Sequence, residues 1–266
     1  MGMRAFLSVL LILPTALLAQ TQGFVPYEGQ PGKDVVWVPT TPQLVEKMLD
    51  MVRLTPKDFV MDLGSGDGRN IIAAAKRGVH GLGVEYDPDM VALSQKKAEE
   101  AGVADKAKFV RGDMYEADIS KATALVLFLL PANLDRLKAK FLELPAGTRI
   151  INNGYKISGW EEVETGHIGG DCYTWCTAYL YLVPAQVAGI WRLPAGLVTF
   201  QQDFQGLSGT LLTNDRRTLG VQGSIVGDRI RFSVGLDTYE GRVRGKEMSG
   251  NASGATSGFW KAAKVK

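Results

Sequence analysis

The chain has 266 residues, 45% of them hydrophobic and 22% charged, enough to bury one substantial core, or one core plus a small satellite domain. A net charge of +2 argues against a polyanion-binding surface or an acidic tail, so nucleic acid is not the expected partner. Two cysteines and two histidines fall short of the roughly four ligands of a zinc site, and no metal is expected.

Residues 1–19 place Arg4 ahead of an apolar run over 5–13, then Pro14 and a small-residue region ending at Ala19. This is the pattern of a secretory signal peptide cleaved after Ala19, too short for the roughly 20 residues of a spanning helix. Export to the periplasm or the outside is therefore expected. An uncleaved anchor, the second reading, leaves the folded part on the same side because Arg4 stays cytoplasmic. No further membrane-spanning segment is expected. Residues 20–33, rich in Gly, Gln and Pro, read as a linker. An extended segment follows to Pro42, whose proline opens a helix over 43–52 with Leu44, Val45, Met48, Leu49 and Val52 at helical spacing. Thr40, just before it, stands where a loop can close over a ligand.

The stretch from Asp58 to Arg69 organises the rest. Phe59 to Met61 read as a buried strand, the glycines after Asp62 turn the backbone, and a helix starts near Arg69. A pyrophosphate cradle needs bare N–H groups and no negative side chains facing the phosphates. Here Asp62 ends the strand and Asp67 sits in the turn, which suits a ligand carrying an ammonium and a sulfonium. S-adenosylmethionine (SAM) is such a cofactor, with Gly64, Ser65 and Gly66 as the turn that receives it. A second strand over 81–85 ends in Glu85, about twenty residues past the turn, the spacing at which a strand-end acid holds ribose hydroxyls. Tyr86 follows it. Asp87 and Pro88 cap a helix that runs to about Ala101. A third strand from Lys108 ends near Asp113 and Met114, placed to accept the adenine amine and to pack on its ring.

The apolar run 122–130 reads as a central strand buried on both faces. A helix follows Pro131, a fifth strand covers 147–152, and an aromatic strand over 177–183 completes the sheet. Alternating strands and helices imply a doubly wound α/β sheet with its ligand at the carboxyl strand ends. From about Gly189 short alternating segments separated by glycines imply a small antiparallel sheet or partial barrel, with Trp191, Phe232 and Trp260 as its core. Residues 223–230 echo 241–248 as two hairpin-like units. Cys172 and Cys176 bridge if their segment turns and stay apart if it runs as a straight strand.

Together these motifs resemble class I SAM-dependent methyltransferases, with a Rossmann-like fold. The Val-Pro-Thr-Thr-Pro segment with its Val-x-x-Met-Leu helix, the Asp-Leu-Gly-Ser-Gly-Asp-Gly-Arg turn, Leu-Leu-Pro and Leu-Pro-Ala-Gly-Thr-Arg are similar to a bacterial methyltransferase family. That family is itself similar to the lysine methyltransferases acting on the ATP synthase c-subunit and, more distantly, to Dot1-type enzymes. The resemblance covers 34–184. It implies a methyltransferase domain at 34–185, and the alternating segments after it make a β domain at 189–266. It also implies SAM as cofactor, a protein nitrogen such as lysine as acceptor (a small molecule being the other acceptor class), and Thr40 as a cofactor contact. The chain departs from the family pattern at Asn70, where an aliphatic residue is usual, and over 152–156, where Asn-Asn-Gly-Tyr-Lys replaces a Ser-His-Asp-Phe-Asp segment. Asn133 and Tyr155 are the catalytic candidates by their place after strands four and five. Two other readings are an exported non-catalytic binding protein that keeps the fold, favoured by the export signal, and an NAD-type oxidoreductase, disfavoured by Asp67.

Overall fold

The computed structural model describes residues 24–170 and 172–265. The signal peptide expected at 1–19 lies outside these residues, as does the start of the expected linker. The first unit alternates helices and strands: α1 (Pro42–Met51), β1 (Phe59–Leu63), α2 (Arg69–Lys76), β2 (His80–Glu85), α3 (Pro88–Glu100), β3 (Ala107–Arg111), β4 (Ala124–Leu127), α4 (Pro131–Leu142) and β5 (Arg149–Asn153). It ends with β6 (Glu164–His167) and β7 (Thr177–Leu182). The sheet order is β3-β2-β1-β4-β5-β7-β6. Strands β1 to β5 pair in parallel, while β7 runs antiparallel between β5 and β6.

The two-residue period of a strand explains how one apolar run feeds two layers. Ala124 and Val126 of β4 face the cluster containing α1, α2 and α3, while Leu125 and Leu127 face the cluster containing α4. Val60 and Met61 of β1 divide in the same way. The order of strand succession reverses between the parallel neighbours β1 and β4, so a crevice opens at their carboxyl ends, where an open α/β sheet takes its ligand.

The structure differs from the sequence expectation at one strand and adds another. The strand read over 122–130 is paired only over Ala124–Leu127. Beyond it the chain leaves the sheet, and the fully buried Asn152 holds it there: Leu129 N–H donates to Asn152 Oδ1 at 3.0 Å and Asn152 Nδ2 donates back to Leu129 O at 3.2 Å. Strand β6, Glu-Thr-Gly-His, carries no apolar alternation and left no pattern to read.

The second unit is a closed antiparallel barrel built from β8 (Gly189–Leu193), β9 (Gly196–Asp203), β10 (Gly206–Thr213), β11 (Thr218–Val226), β12 (Arg229–Val234), β13 (Asp237–Arg244), β14 (Glu247–Ser253) and β15 (Gly258–Lys264). Each strand pairs with its neighbour in sequence, and β15 returns to β8 through Ala263 opposite Arg192 and Lys264 opposite Trp191. The barrel is thus complete rather than partial, because β15 offers both edges, one to β14 and one to β8, and leaves no edge open. The echoing segments are successive hairpins whose two-residue turns open on Gly227 (φ +58°) and Gly245 (φ +61°), the left-handed first position that such turns require. Trp191, Phe232 and Trp260 are buried in the interior as expected. Phe232 stacks on Tyr239 with centroids 4.8 Å apart and meets Phe200 and Trp260 edge-on, so rings fill the lumen.

The barrel is joined to the α/β unit by Ala185 N–H donating to Gly227 O (2.8 Å) and by Phe204, at the β9–β10 turn, lying 5.8 Å from Trp160. Among the described residues no helix is long and apolar enough to cross a membrane.

Candidate functional site

Residues at the carboxyl ends of β1, β2 and β4 surround a pocket of about 200 Å³. The turn after β1 has Gly64, Gly66 and Gly68 at φ +74°, +52° and +81°. At Gly66 a side chain is excluded twice over, since the left-handed backbone is costly for other residues and a Cβ would lie 2.6 Å from Trp37 Nε1. The turn backbone therefore packs directly against the Trp37 ring.

Glu85 ties the second strand to this turn. Its Oε2 accepts from Gly66 N–H at 2.8 Å, and its Oε1 accepts from Tyr86 N–H at 2.8 Å and Asp87 N–H at 3.0 Å. A carboxylate offers about four lone-pair positions, so this one is oriented and still able to accept.

Asp62 is buried, and Asn70 Nδ2 donates to its Oδ2 at 3.0 Å. Burial pushes its pKa up to about 8 against the opposing bond from Asn70, with the nearby negative charges of Glu85 and Asp67 adding to the rise. Such a carboxyl is poised to ionise when a cation arrives.

Asp67 plays a different part from the one expected. The Arg69 guanidinium donates to both its oxygens at 2.8 Å and Lys97 Nζ donates to Oδ2 at 2.6 Å. Burial opposes ionisation, but these cations hold its carboxyl below the usual range. Asp67 is a neutralised brace of the turn, so it exerts no repulsion on a dinucleotide, and the sequence argument against NAD loses that support.

Residues 30–40 form a strap over the pocket, not the free linker expected as far as residue 33. Trp37 N–H donates to Gln30 O and Gly29 N–H to Trp37 O, at 3.0 and 2.8 Å. Arg69 Nη1 donates to Thr40 O at 2.6 Å, and Asn153 Nδ2 donates to Thr40 Oγ1 at 3.2 Å, which fixes Thr40 at the pocket wall. Lys33 Nζ pairs with Asp113 and sits 4.8 Å from the Tyr86 ring centre. Lys33, with the Tyr115 N–H, holds the Asp113 carboxyl below its usual range. An adenine amine at Asp113 therefore has to share this carboxylate with Lys33. Met114 and Met90 give that end an apolar lining.

Of the catalytic candidates, Tyr155 lines the pocket, while Asn133 does not. Asn133 is buried beneath the wall with Nδ2 donating to Tyr115 Oη at 2.7 Å. Its position after β4 suggested the mouth, but the helical turn at Pro131 points it inward. Trp37, Phe128 and Trp175 line the pocket without having been singled out. Their only sequence signals are a tryptophan flanked by valines before Pro39, an aromatic inside the apolar run 122–130, and a tryptophan between two cysteines. Asn70, noted only as a departure, belongs to the site through Asp62.

The donor set suits SAM. Asp62 and Asn70 can meet its ammonium, Glu85 its ribose diol, and Met90 and Met114 its adenine. Ser65 Oγ and Asn70 Oδ1, on two of the pocket residues, have no partner among the described residues.

A family model described as the ANTKMT methyltransferase domain matches residues 62–164. The chain is 36% identical over 157 residues to a protein-lysine N-methyltransferase of Saccharolobus islandicus, covering 56% of this chain and 94% of that protein. It is 35% identical over 151 residues to the mouse lysine N-methyltransferase of the ATP synthase c-subunit, covering 56% of this chain but only 59% of the mouse protein. Among solved structures, an RNA methyltransferase of Salinibacter ruber in complex with S-adenosyl-L-homocysteine (SAH) is 39% identical with a TM-score of 0.53, covering 56% of this chain and 96% of that one.

Proposed function

Because the chain belongs to the family of the protein-lysine N-methyltransferases, we propose that it binds SAM in the β1–β2 cradle and transfers the methyl group to a lysine side chain of a protein. The observation that carries this reading is the buried Asp62, which lines a pocket shared with Glu85 and whose carboxyl has no cationic partner among the described residues, only the amide of Asn70.

SAM supplies a methyl group already activated by a positive sulfur, so the residues need to orient and desolvate more than to activate. Asp62 and Asn70 hold the ammonium end, and Glu85, Tyr86 and the Gly64–Ser65–Gly66 backbone hold the nucleoside. Thr40 and Trp37 close the strap side, and Asp113 and Met114 take the adenine. The acceptor amine has to be neutral. Phe128, Leu130, Tyr155 and Trp175 give part of the lining an apolar and aromatic character that strips water from an entering side chain. Deprotonation to solvent at the mouth suffices without a histidine: among the described residues neither His80 nor His167 lines the pocket.

Calorimetric titration with SAM and with NAD, followed by incubation of the protein with tritiated SAM and the total protein and total RNA of its own cells, tests the proposal. Binding of SAM alone and recovery of methyl-lysine after acid hydrolysis are the expected results. Label in RNA would replace the acceptor class, and a folded protein binding neither ligand would end the enzymatic reading.

We extend the proposal to the compartment: the protein works after export, in the periplasm or outside the cell. The bridge between Cys172 and Cys176 supports this, since such bonds persist in oxidising surroundings. Fractionation of the source cells, with the protein expected outside the cytosol, checks it.

A further inference from the structure

Cys172 and Cys176 are joined by a disulfide that closes a ring containing Tyr173, Thr174 and Trp175. Trp175 has φ +51°, a left-handed backbone that a bulky residue adopts only where its surroundings impose it. The bridge constrains the chain on both sides of it. Its indole lies over Gly154, where a Cβ would come within 2.6 Å of Trp175 Cδ1. Indole Nε1–H donates to Tyr155 Oη at 3.2 Å, and the ring is 5.7 Å from Phe128. These three aromatic residues all line the pocket, and the family match ends at residue 164, before this loop.

We infer that the disulfide loop is the acceptor gate: the Cys172–Cys176 bridge holds Trp175, packed on Phe128 and beside Tyr155, as one wall of the entry for the acceptor side chain. Acceptor binding then depends on the oxidation state of this bridge, and cofactor binding does not. The inference rests on the methyltransferase reading. Ring faces around a narrow entry attract an alkylammonium and exclude water, so the wall suits the acceptor class proposed above. A dithiol reductant opens the gate's frame in a balanced exchange. One thiolate attacks a bridge sulfur to give a mixed disulfide, and the second displaces it. The products are two cysteine thiols and the oxidised reductant, with two electrons and two protons transferred. The freed loop relaxes from the left-handed backbone, and Trp175 leaves Gly154.

The full chain labelled with 5-fluorotryptophan tests this by fluorine NMR, since it has five tryptophans and no cysteines besides these two. The resonance missing in Trp175→Phe identifies the gate. It is expected to move on reduction with dithiothreitol, while SAH affinity measured by calorimetry stays within about twofold because no cofactor-facing residue is in the loop. In the SAH complex, n-butylammonium, the end of a lysine side chain, should shift that resonance in the oxidised protein and bind about tenfold more weakly after reduction, the scale of one desolvated cation–π contact. A Trp175 resonance indifferent to reduction overturns the gate, as does equal n-butylammonium binding in both redox states. Oxidised protein that binds no SAH overturns the methyltransferase reading instead, and the gate falls with it.

Discussion

Asp62 makes cofactor affinity depend on pH in a way the structure specifies. Its carboxyl is neutral in the free protein below about pH 8, and the ammonium of SAM requires it charged. Binding then releases one proton. Each pH unit below the raised pKa weakens binding about tenfold, so affinity should rise about 100-fold from pH 5.5 to 7.5, or about 2.7 kcal/mol. Above roughly pH 8 the α-amino group of the ligand loses its own proton and the rise ends. The same shift works against the fold: the unfolded carboxyl ionises near pH 3.9, so between there and pH 8 the folded state holds the extra proton and stability declines as pH rises. Calorimetric titration of SAM across this range, repeated in buffers of different ionisation enthalpy, reads both the slope and the proton count. Asp62→Asn keeps an oxygen for Asn70 and removes the titration. Its affinity should match the wild type near pH 5.5, stay flat, and fall about 100-fold behind by pH 7.5. A flat wild-type profile, or an unchanged slope in Asp62→Asn, would refute the reasoning.

Glu85→Ala strands the N–H groups of Gly66, Tyr86 and Asp87, and should lower SAM affinity by about 2–3 kcal/mol while circular dichroism shows the fold retained. Gly66→Ala combines a left-handed backbone with a clash at Trp37; it should lose about 1–2 kcal/mol in denaturant unfolding and bind SAM poorly, and adding Trp37→Ala should restore part of the binding but none of the backbone cost. Burial opposes ionisation of Asp58, but Arg149, Thr123 and Thr55 hold its carboxyl well below the usual range. Its contribution is therefore present above the unfolded pKa near 3.9 and is lost as pH falls below it. Asp58→Asn should cost about 1–2 kcal/mol at neutral pH and flatten the stability profile between pH 4 and 2, as followed by urea unfolding.

The sequence by itself determined the cradle and the layers. Asp62, the glycines and Glu85 were legible because strand, turn and strand-end acid lie within a short stretch whose spacing is set by one βαβ unit. The sheet was legible because two-residue alternation assigns each strand residue to a face whatever the strand's neighbours are. Tertiary structure decided everything that depends on distant segments meeting. The barrel closes because β15 meets β8, a pairing that no local pattern encodes. Residues 30–40 became a strap only through Arg69, Asn153 and the Lys33–Asp113 pair. Asp67 is a bare charge in the local sequence pattern, and the packing of α3 brings Lys97 to it. Asn133 and Trp175 exchanged importance for the same reason. A position in the chain says which strand end a residue follows, whereas its side-chain direction is set by the turn geometry and packing around it. Those turned Asn133 under the wall and carried Trp175, inside its disulfide ring, onto the pocket's rim.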